Sequence, residues 1–183
     1  VGSEMCIRDR YEDGNYLSDA KKLYEYVVNN SYNADGRVEE PPLTYTQGTF
    51  GEACRQLYHI TQESKYMDKA KQVINYAATS DRCLRNGILR DEGSSMDQSI
   101  FKSVYIPYAV NLALDEASGS IGKHLITFLK NNAETLRMNL NHAAYPAMYC
   151  NYWWGEMWKS SEPASMGAQV SGASLMEGIA RLE

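Results

Sequence analysis

The chain repeats itself, and this repeat constrains its fold more than any other feature. The segment 15–26, Asn-Tyr-Leu-Ser-Asp-Ala-Lys-Lys-Leu-Tyr-Glu-Tyr, returns at 65–76 as Lys-Tyr-Met-Asp-Lys-Ala-Lys-Gln-Val-Ile-Asn-Tyr. A turn signal follows each copy, Asp35-Gly36 the first time and Asn86-Gly87 the second. A self-similarity of roughly fifty residues with helical apolar spacing is typical of stacked helical hairpins.

The apolar spacing predicts a regular alternation of outer and inner helices. We expect helices over 15–30, 44–61, 65–79, 99–113, 121–136 and 169–182. Pro107 should kink the fourth of these or begin a new turn there. The segment 82–96 is irregular and could hold a short hairpin, and 139–166 reads as a long aromatic loop.

This order predicts an all-α fold of the (α/α)6-barrel type, a helical-hairpin toroid. The chain supplies only about three hairpins at the observed repeat length, so we expect an incomplete half of such a ring. Inner-helix faces along Phe50, Leu57, Phe101 and Tyr105 would then be left uncovered. An open solenoid of the tetratricopeptide kind is the competing architecture, although its period is shorter and its loops are tighter than the connection 29–43.

The first ten residues fit neither copy of the repeat. Residues 5–10, Met-Cys-Ile-Arg-Asp-Arg, can be spelled as the transposon end used to build sequencing libraries, translated in frame. We therefore interpret residues 1–10 as a non-native leader and expect the natural N-terminus, with any export signal, to be missing.

Composition excludes several classes of function. The net charge of −5, without a Lys/Arg cluster, argues against a nucleic-acid partner, and no apolar run approaches a membrane span. Cys54, Cys83 and Cys150 are too widely spaced for a zinc site, and we expect no metal or cofactor. The 14 tyrosines, against 3 Phe and 3 Trp, suit wet sites such as those that bind sugars.

Three helix starts resemble one another: Tyr-Thr-Gln-Gly at 45–48, Asp-Gln-Ser at 97–99 and Ala-Gln-Val-Ser at 168–171. Capping by the hydroxyl and carboxyl side chains would explain part of this pattern. Glutamine is not a favoured cap, so its recurrence needs another cause. We predict that Gln47 and Gln98 face a ligand at the exposed N–H ends of the helices.

Further candidates lie beside these starts. Tyr45 offers a stacking face, and Thr46 and Asp97 offer a hydroxyl and a carboxylate. Lys102, one turn into its helix, could donate to a sugar hydroxyl or merely pair with Asp97. The tryptophans at 153, 154 and 158 could stack on sugar rings or form a small core for their own loop.

The ordered series of motifs resembles glycoside hydrolase family 76, the endo-α-1,6-mannanases. Thr-Tyr-Thr-Gln-Gly-Thr-Phe at 44–50 is similar to the family's Tyr-Asn-Gln-Gly-x-Phe segment, and Lys-Tyr-x-Asp-x-Ala follows at 65–70. Asn-Gly-Ile-Leu-Arg-Asp-Glu at 86–92 and the Asp-Gln…Phe-Lys helix start at 97–102 agree as well. Thr46, in place of Asn, and Ser103, in place of a common Gly, depart from the pattern.

The resemblance implies a retaining hydrolase of α-1,6-linked mannan, with residues 11–183 as the C-terminal part of its domain. It also implies an exported, monomeric parent enzyme and no cofactor. The family's catalytic residues are two adjacent aspartates, and retention requires carboxyl groups roughly 5–5.5 Å apart. No Asp-Asp pair occurs in this chain, so we expect an inactive fragment without catalytic residues of its own.

Four other adjacent acidic pairs exist, and we expect each to be solvated: 12–13, 39–40, 91–92 and 115–116. The predicted substrate-binding set is Tyr45, Thr46, Gln47, Asp97, Gln98, Lys102 and Trp154. Alternatives are a fragment of another (α/α)6 enzyme, of the unsaturated glucuronyl hydrolase or sugar epimerase type, and a non-enzymatic α-solenoid interaction module.

Overall fold

The computed structural model describes residues 14–144, 148–161 and 163–183. Its helices are α1 Gly14–Asn30, α2 Thr44–Thr61, α3 Ser64–Thr79, α4 Met96–Leu114, α5 Ser120–Met138 and α6 Met166–Arg181. Strands β1 Leu84–Arg85 and β2 Ile88–Leu89 form an antiparallel hairpin, and single 3-10 turns occupy Glu116–Ser118 and His142–Ala144. The all-α fold is confirmed; the leader predicted at 1–10 lies outside the described residues.

Helix α4 differs most from its predicted bounds. It begins at Met96 rather than at residue 99, because Ser95 is its N-cap and accepts the Gln98 N–H at 3.2 Å. It then continues through Pro107 to Leu114, although proline removes one backbone donor. Packing of α4 against α2 and α6 outweighs this local cost, since tertiary contacts supply most helix stability in proteins.

The inner helices α2, α4 and α6 lie side by side, with α4 in contact with both others. Outer helix α3 packs on α2, and α5 packs on α4 and α6. The α2–α4 contact is close because of Gly48, where an added Cβ would lie 2.9 Å from the Tyr105 Cα. Glycine at this position therefore sets the spacing of two inner helices.

The faces that we expected to be uncovered are mostly buried. Leu57 and Tyr105 are 0% exposed, and the Phe50 ring stacks on Tyr24 at 5.9 Å. The Tyr105 hydroxyl donates to the Ile74 carbonyl at 2.9 Å, so its polar atom is satisfied inside the core. Only Phe101 is half-buried. The expectation was wrong because the helices of the chain itself cover these side chains.

All the long connections lead from an outer to an inner helix, so they gather at the amino-terminal ends of α2, α4 and α6. We call this end the mouth, and its first, second and third loops are 31–43, 80–95 and 139–165. The connections at the opposite end are short, 62–63 and 115–119. In the described part of the chain, no helix has both the length and the apolar character to cross a membrane.

Three cysteines of the described residues are free and buried, one in an inner helix and two in mouth loops. Cys54 lies in α2, Cys83 in the second mouth loop and Cys150 in the third. Burial raises the pKa of all three thiols, that of Cys83 to about 12. These are inert thiols of the core, because the reactive species is the thiolate.

Candidate functional site

A half-buried carboxylate joins the second mouth loop to the start of α2. Glu92 accepts the Thr44 backbone N–H at 2.5 Å and also the Thr44 hydroxyl. A carboxylate at the first turn of a helix interacts favourably with the N–H end of the helix dipole. Burial nevertheless raises the pKa of Glu92, because only neutral donors are in contact with it. The expectation that the 91–92 pair is solvated holds for Asp91, which is exposed, and is wrong for Glu92.

Lys102 is buried under the third mouth loop and does not face the solvent. Its side chain is 4% exposed, donates to the Tyr152 carbonyl, and places Nζ 4.1 Å from the centre of the Trp154 ring. Burial lowers its pKa to about 8, against the opposing field of Glu92. The prediction that Lys102 contacts substrate is therefore wrong, because its ammonium group bonds to the third mouth loop. The alternative prediction, an ion pair with Asp97, is wrong for the same reason.

The tryptophans belong to the loop's own core. Trp154 is 0% exposed, Trp158 packs edge-on against Tyr149 at 4.8 Å, and the Arg85 guanidinium lies 3.9 Å from the Trp153 ring. The predicted sugar contact of Trp154 is wrong, because Lys102 and the loop cover the ring. Arg85 stands at the tip of the β1–β2 hairpin, so it joins the second and third mouth loops.

The repeated glutamines divide into two kinds. Gln47 is 0% exposed; its Nε2 donates to the Val38 carbonyl at 2.9 Å and its Oε1 accepts the Val38 N–H at 3.3 Å. Gln98 is exposed, and its Oε1 accepts the Ser95 hydroxyl at 3.0 Å. The prediction that Gln47 faces a ligand is wrong, because both polar atoms of its amide bond to Val38, nine positions earlier in the chain.

Four of the predicted residues remain accessible at the mouth. The rings of Tyr45 and Phe101 lie 4.4 Å apart, which brings the starts of α2 and α4 together. Tyr45 and Thr46 are half-buried, and the Thr46 hydroxyl donates to the Leu43 carbonyl at 2.8 Å. Asp97 is exposed in the first turn of α4, with no ion pair or hydrogen bond among the described residues.

The opposite end of the inner helices carries a charged network that the sequence did not reveal. Asp115 accepts from Arg55 at 3.0 Å and also bonds to His59, and its side chain is only 4% exposed. Arg55 makes two further bonds, both of 2.9 Å, to Glu52. The spacing of Glu52, Arg55 and His59, which places them on one face of α2, was a signal in the sequence for part of this network. No sequence pattern indicated Asp115, which lies 60 residues after Arg55.

No group of three or more His, Cys, Asp or Glu in the described ranges could hold a metal ion. The accessible site residues Tyr45, Thr46, Asp97 and Gln98 offer hydroxyls, a carboxylate and an amide. Such a set can exchange hydrogen bonds with the hydroxyl groups of a neutral sugar, and Tyr45 adds an aromatic face.

The model of glycosyl hydrolase family 76 matches residues 9–181, nearly the whole chain. No curated protein matches the sequence at a significant level.

Solved structures resemble the fold closely. An inactive variant of the α-1,6-mannanase of Salegentibacter sp. HEL1_6, with two consecutive aspartates changed to alanine and bound to alpha-1,6-mannotetrose, has a TM-score of 0.89 at 25% identity. The Lin0763 protein of Listeria innocua gives 0.86 at 26% identity. The match covers 98% of this chain in both cases, but 56% and 52% of those chains. The chain thus spans about half the length of these structures.

A third structure shows the same fold with a distant sequence. Dfg5 of Chaetomium thermophilum, in complex with glucosamine, has a TM-score of 0.74 at 12% identity, with 93% of this chain and 47% of that chain covered.

Proposed function

Because the chain belongs to glycosyl hydrolase family 76, we propose that it is part of an endo-α-1,6-mannanase and forms one wall of the substrate cleft. The observation that carries this proposal is the pair of adjacent helix starts at the mouth. There, Tyr45 contacts Phe101 while Asp97 and Gln98 are exposed. A chain of α-1,6-linked mannose is the substrate class we assign, since the similar Salegentibacter enzyme was solved with such an oligosaccharide.

We assign the contacts with sugar to four residues. The Asp97 carboxylate can accept from sugar hydroxyls, and the Gln98 amide can both donate and accept. The Tyr45 ring offers a face for the C–H side of a pyranose, and the half-buried Thr46 borders it. Phe101 supports Tyr45 from behind, at 4.4 Å between ring centres.

Hydrolysis requires carboxylates that this chain does not supply. A retaining mechanism needs a nucleophile and an acid/base group roughly 5–5.5 Å apart. The similar enzyme is inactive when two consecutive aspartates are changed, and no Asp-Asp pair occurs here. The exposed Asp97 provides a carboxylate at the mouth, which we assign to orienting the substrate. The catalytic pair would belong to a part of the parent enzyme outside this chain.

An assay of hydrolysis tests the assignment of the catalytic pair. The chain alone should release no reducing oligosaccharides from α-1,6-mannan, because it lacks the pair of adjacent aspartates that would supply the nucleophile and the acid/base group. Hydrolysis by the chain that disappears in Asp97→Asn would overturn our placement of the catalytic centre.

An assay of binding tests the cleft itself. In NMR titrations of the chain with α-1,6-mannotriose, we expect shift changes at residues 45–46 and 97–98. Asp97→Asn should weaken this binding by roughly tenfold, the equivalent of one charge-assisted hydrogen bond. Asp68→Asn, an exposed aspartate on outer helix α3, is the matched control. Equal effects of both substitutions, or shift changes confined to the opposite end, would contradict the proposal.

A further inference from the structure

Two mouth loops are bonded to the inner helices by the same side-chain device. Gln47 exchanges hydrogen bonds with both backbone groups of Val38, as described above. Gln169 does the same with Cys150: its Oε1 accepts the Cys150 N–H and its Nε2 donates to the Cys150 carbonyl, both at 2.9 Å. Each glutamine is the fourth residue of its inner helix, α2 or α6. We call this arrangement the amide clasp.

The clasped residues share a second property. Val38 and Cys150 are each 4% exposed, and each lies in an isolated antiparallel bridge, with Tyr32 and Met157 respectively. The bridge leaves one backbone edge of the residue without a strand partner. A primary amide presents one donor and one acceptor side by side, as a β-strand neighbour does. The glutamine therefore completes a two-sided pairing of a single loop residue.

The second mouth loop shows what happens without the clasp. Gln98 is the third residue of α4 and remains exposed beside its own N-cap. The loop residue Leu89 instead donates its N–H to the Oδ1 of Asn132, a 0% exposed side chain of α5, at 2.9 Å. Gln98 is thus a natural control: the same residue type at a similar helix start, with its side chain bonded to its own N-cap Ser95 and to no described residue of a mouth loop's backbone.

We propose that Gln47 and Gln169 are positioning residues, which fix the first and third mouth loops at the borders of the substrate cleft. The proposal rests on the proposed function in so far as these loops border a sugar site. Gln47 adjoins the accessible Tyr45 and Thr46, and Cys150 precedes Tyr152, whose carbonyl accepts from Lys102. Loss of a clasp would therefore free the loop backbone from the inner helix beside Tyr45 and Thr46 in the first case and beside Tyr152 in the second.

Paired substitutions at Gln47 separate hydrogen bonding from packing. Gln47→Met keeps the side-chain volume and removes both bonds, so the Val38 amide should exchange with solvent at least about tenfold faster at every pH. In Gln47→Glu, a protonated carboxyl can still accept the Val38 N–H and donate to the Val38 carbonyl, whereas a carboxylate cannot donate. We expect fast Val38 exchange, corrected for its intrinsic pH dependence, at pH 7 and recovery towards the wild-type rate near pH 4–5.

The control isolates the new carboxyl group. Arg37 and Glu39 flank Val38 in the chain, and Glu92 bonds to Thr44, three residues before Gln47. All three charged groups are present in both variants at position 47. Gln98→Glu should leave Val38 exchange unchanged at both pH values. A wild-type exchange rate in Gln47→Met, or the absence of acid recovery in Gln47→Glu, would overturn the clasp.

The binding of α-1,6-mannotriose separates this proposal from the proposed function. If the chain binds the sugar and Gln47→Met binds it about tenfold more weakly, both stand. Equal affinity of the variant and the wild type would overturn the positioning role. If the wild-type chain does not bind while the exchange results hold, the proposed function fails and the clasp remains a property of the loops.

Discussion

The two ends of the inner helices each hold a carboxylate that is at least half-buried, and the pKa values of these two carboxylates move in opposite directions. At the end away from the mouth, Asp115 contacts Arg55 and His59, which hold its pKa below the ordinary value although burial opposes them. At the mouth, Glu92 contacts only neutral donors of Thr44, and burial raises its pKa. One end therefore carries a satisfied ion-pair network, while the other keeps a carboxylate without a cation in contact.

The mouth loops also contain an ion pair, in which Glu40 bonds to Arg37 and Arg82, so the comparison concerns these two carboxylates alone. Of the two, Asp115 is the one whose contacts serve stability. Charges that neutralise one another across α2 and the 115–119 connection can hold elements together, but they offer nothing to a ligand. Poorly compensated charge is typical of functional sites, where it is available for binding. The exposed Asp97, which pairs with no residue that the structure describes, lies at the same end as Glu92 and fits this assignment.

The largest effect is expected from breaking the network at the end away from the mouth. Asp115→Ala removes bonds to Arg55 and His59 and the cap on the Ala117 N–H, and should lower the free energy of unfolding by about 3 kcal/mol at pH 7. Urea denaturation measures this change. The neighbouring exposed Glu116→Ala should stay within about 0.5 kcal/mol. A loss below about 1 kcal/mol for Asp115→Ala would mean that the network contributes little.

The second prediction concerns Lys102 in alkali. Its folded-state pKa of about 8 lies below the unfolded value, so its charge penalises the folded state below that pH. The penalty disappears as the pH rises from 8 towards the unfolded pKa, by up to about 3 kcal/mol. Wild-type stability, measured relative to Lys102→Met, should therefore increase between pH 8 and 10. A constant difference would show that Lys102 is less desolvated than its burial indicates.

The third prediction sets the two carboxylates against each other in acid. Because the folded-state pKa of Asp115 is lowered, it contributes stability above its unfolded pKa and loses it as the pH falls through the folded-state pKa. The pKa of Glu92 is raised, so protonation relieves a penalty as the pH falls. Relative to Asp115→Asn, the wild type should lose stability as the pH falls below about 4; relative to Glu92→Gln, it should gain stability as the pH falls towards about 4. Changes of the same sign would remove the contrast between the two ends.

The smallest effect on stability is expected at Asp97. Its carboxylate has no partner among the described residues and gains only from the dipole of α4, so Asp97→Asn should change the free energy of unfolding by less than about 0.5 kcal/mol. Thermal unfolding checks this value. A loss above about 1 kcal/mol would assign Asp97 to the structure of the mouth instead of its cleft.

Local patterns in the sequence predicted the elements well, because helix signals lie within each segment. The bounds of α2, 44–61, follow from apolar spacing alone, and the Asn86-Gly87 turn marks the β1–β2 hairpin. The prediction that Pro107 interrupts α4 did not account for packing, which outweighs one missing hydrogen bond in a helix surrounded by neighbours.

The fate of individual polar side chains could not be predicted in the same way. The repeated glutamine was recognised, but whether it faces sugar or backbone depends on where loop residues such as Val38 lie. Asp115 was expected to be solvated, yet Arg55 and His59 reach it from another helix. In both cases the partner that decides the role of the side chain is distant in sequence or lies in a loop without periodicity. Its position is known only once the tertiary structure is known.

The three buried cysteines allow local opening to be measured in three parts of the molecule, through the rate at which each thiol is alkylated. Each thiol belongs to a different structural unit: Cys54 to the body of α2, Cys83 to the second mouth loop and Cys150 to the third. A buried thiol reacts with an alkylating reagent only when its surroundings open. The three labelling rates would therefore rank how readily these three parts of the molecule open. With Cys6 of the N-terminal segment replaced, mass spectrometry of the otherwise unaltered chain would show whether the mouth loops open more often than helix α2.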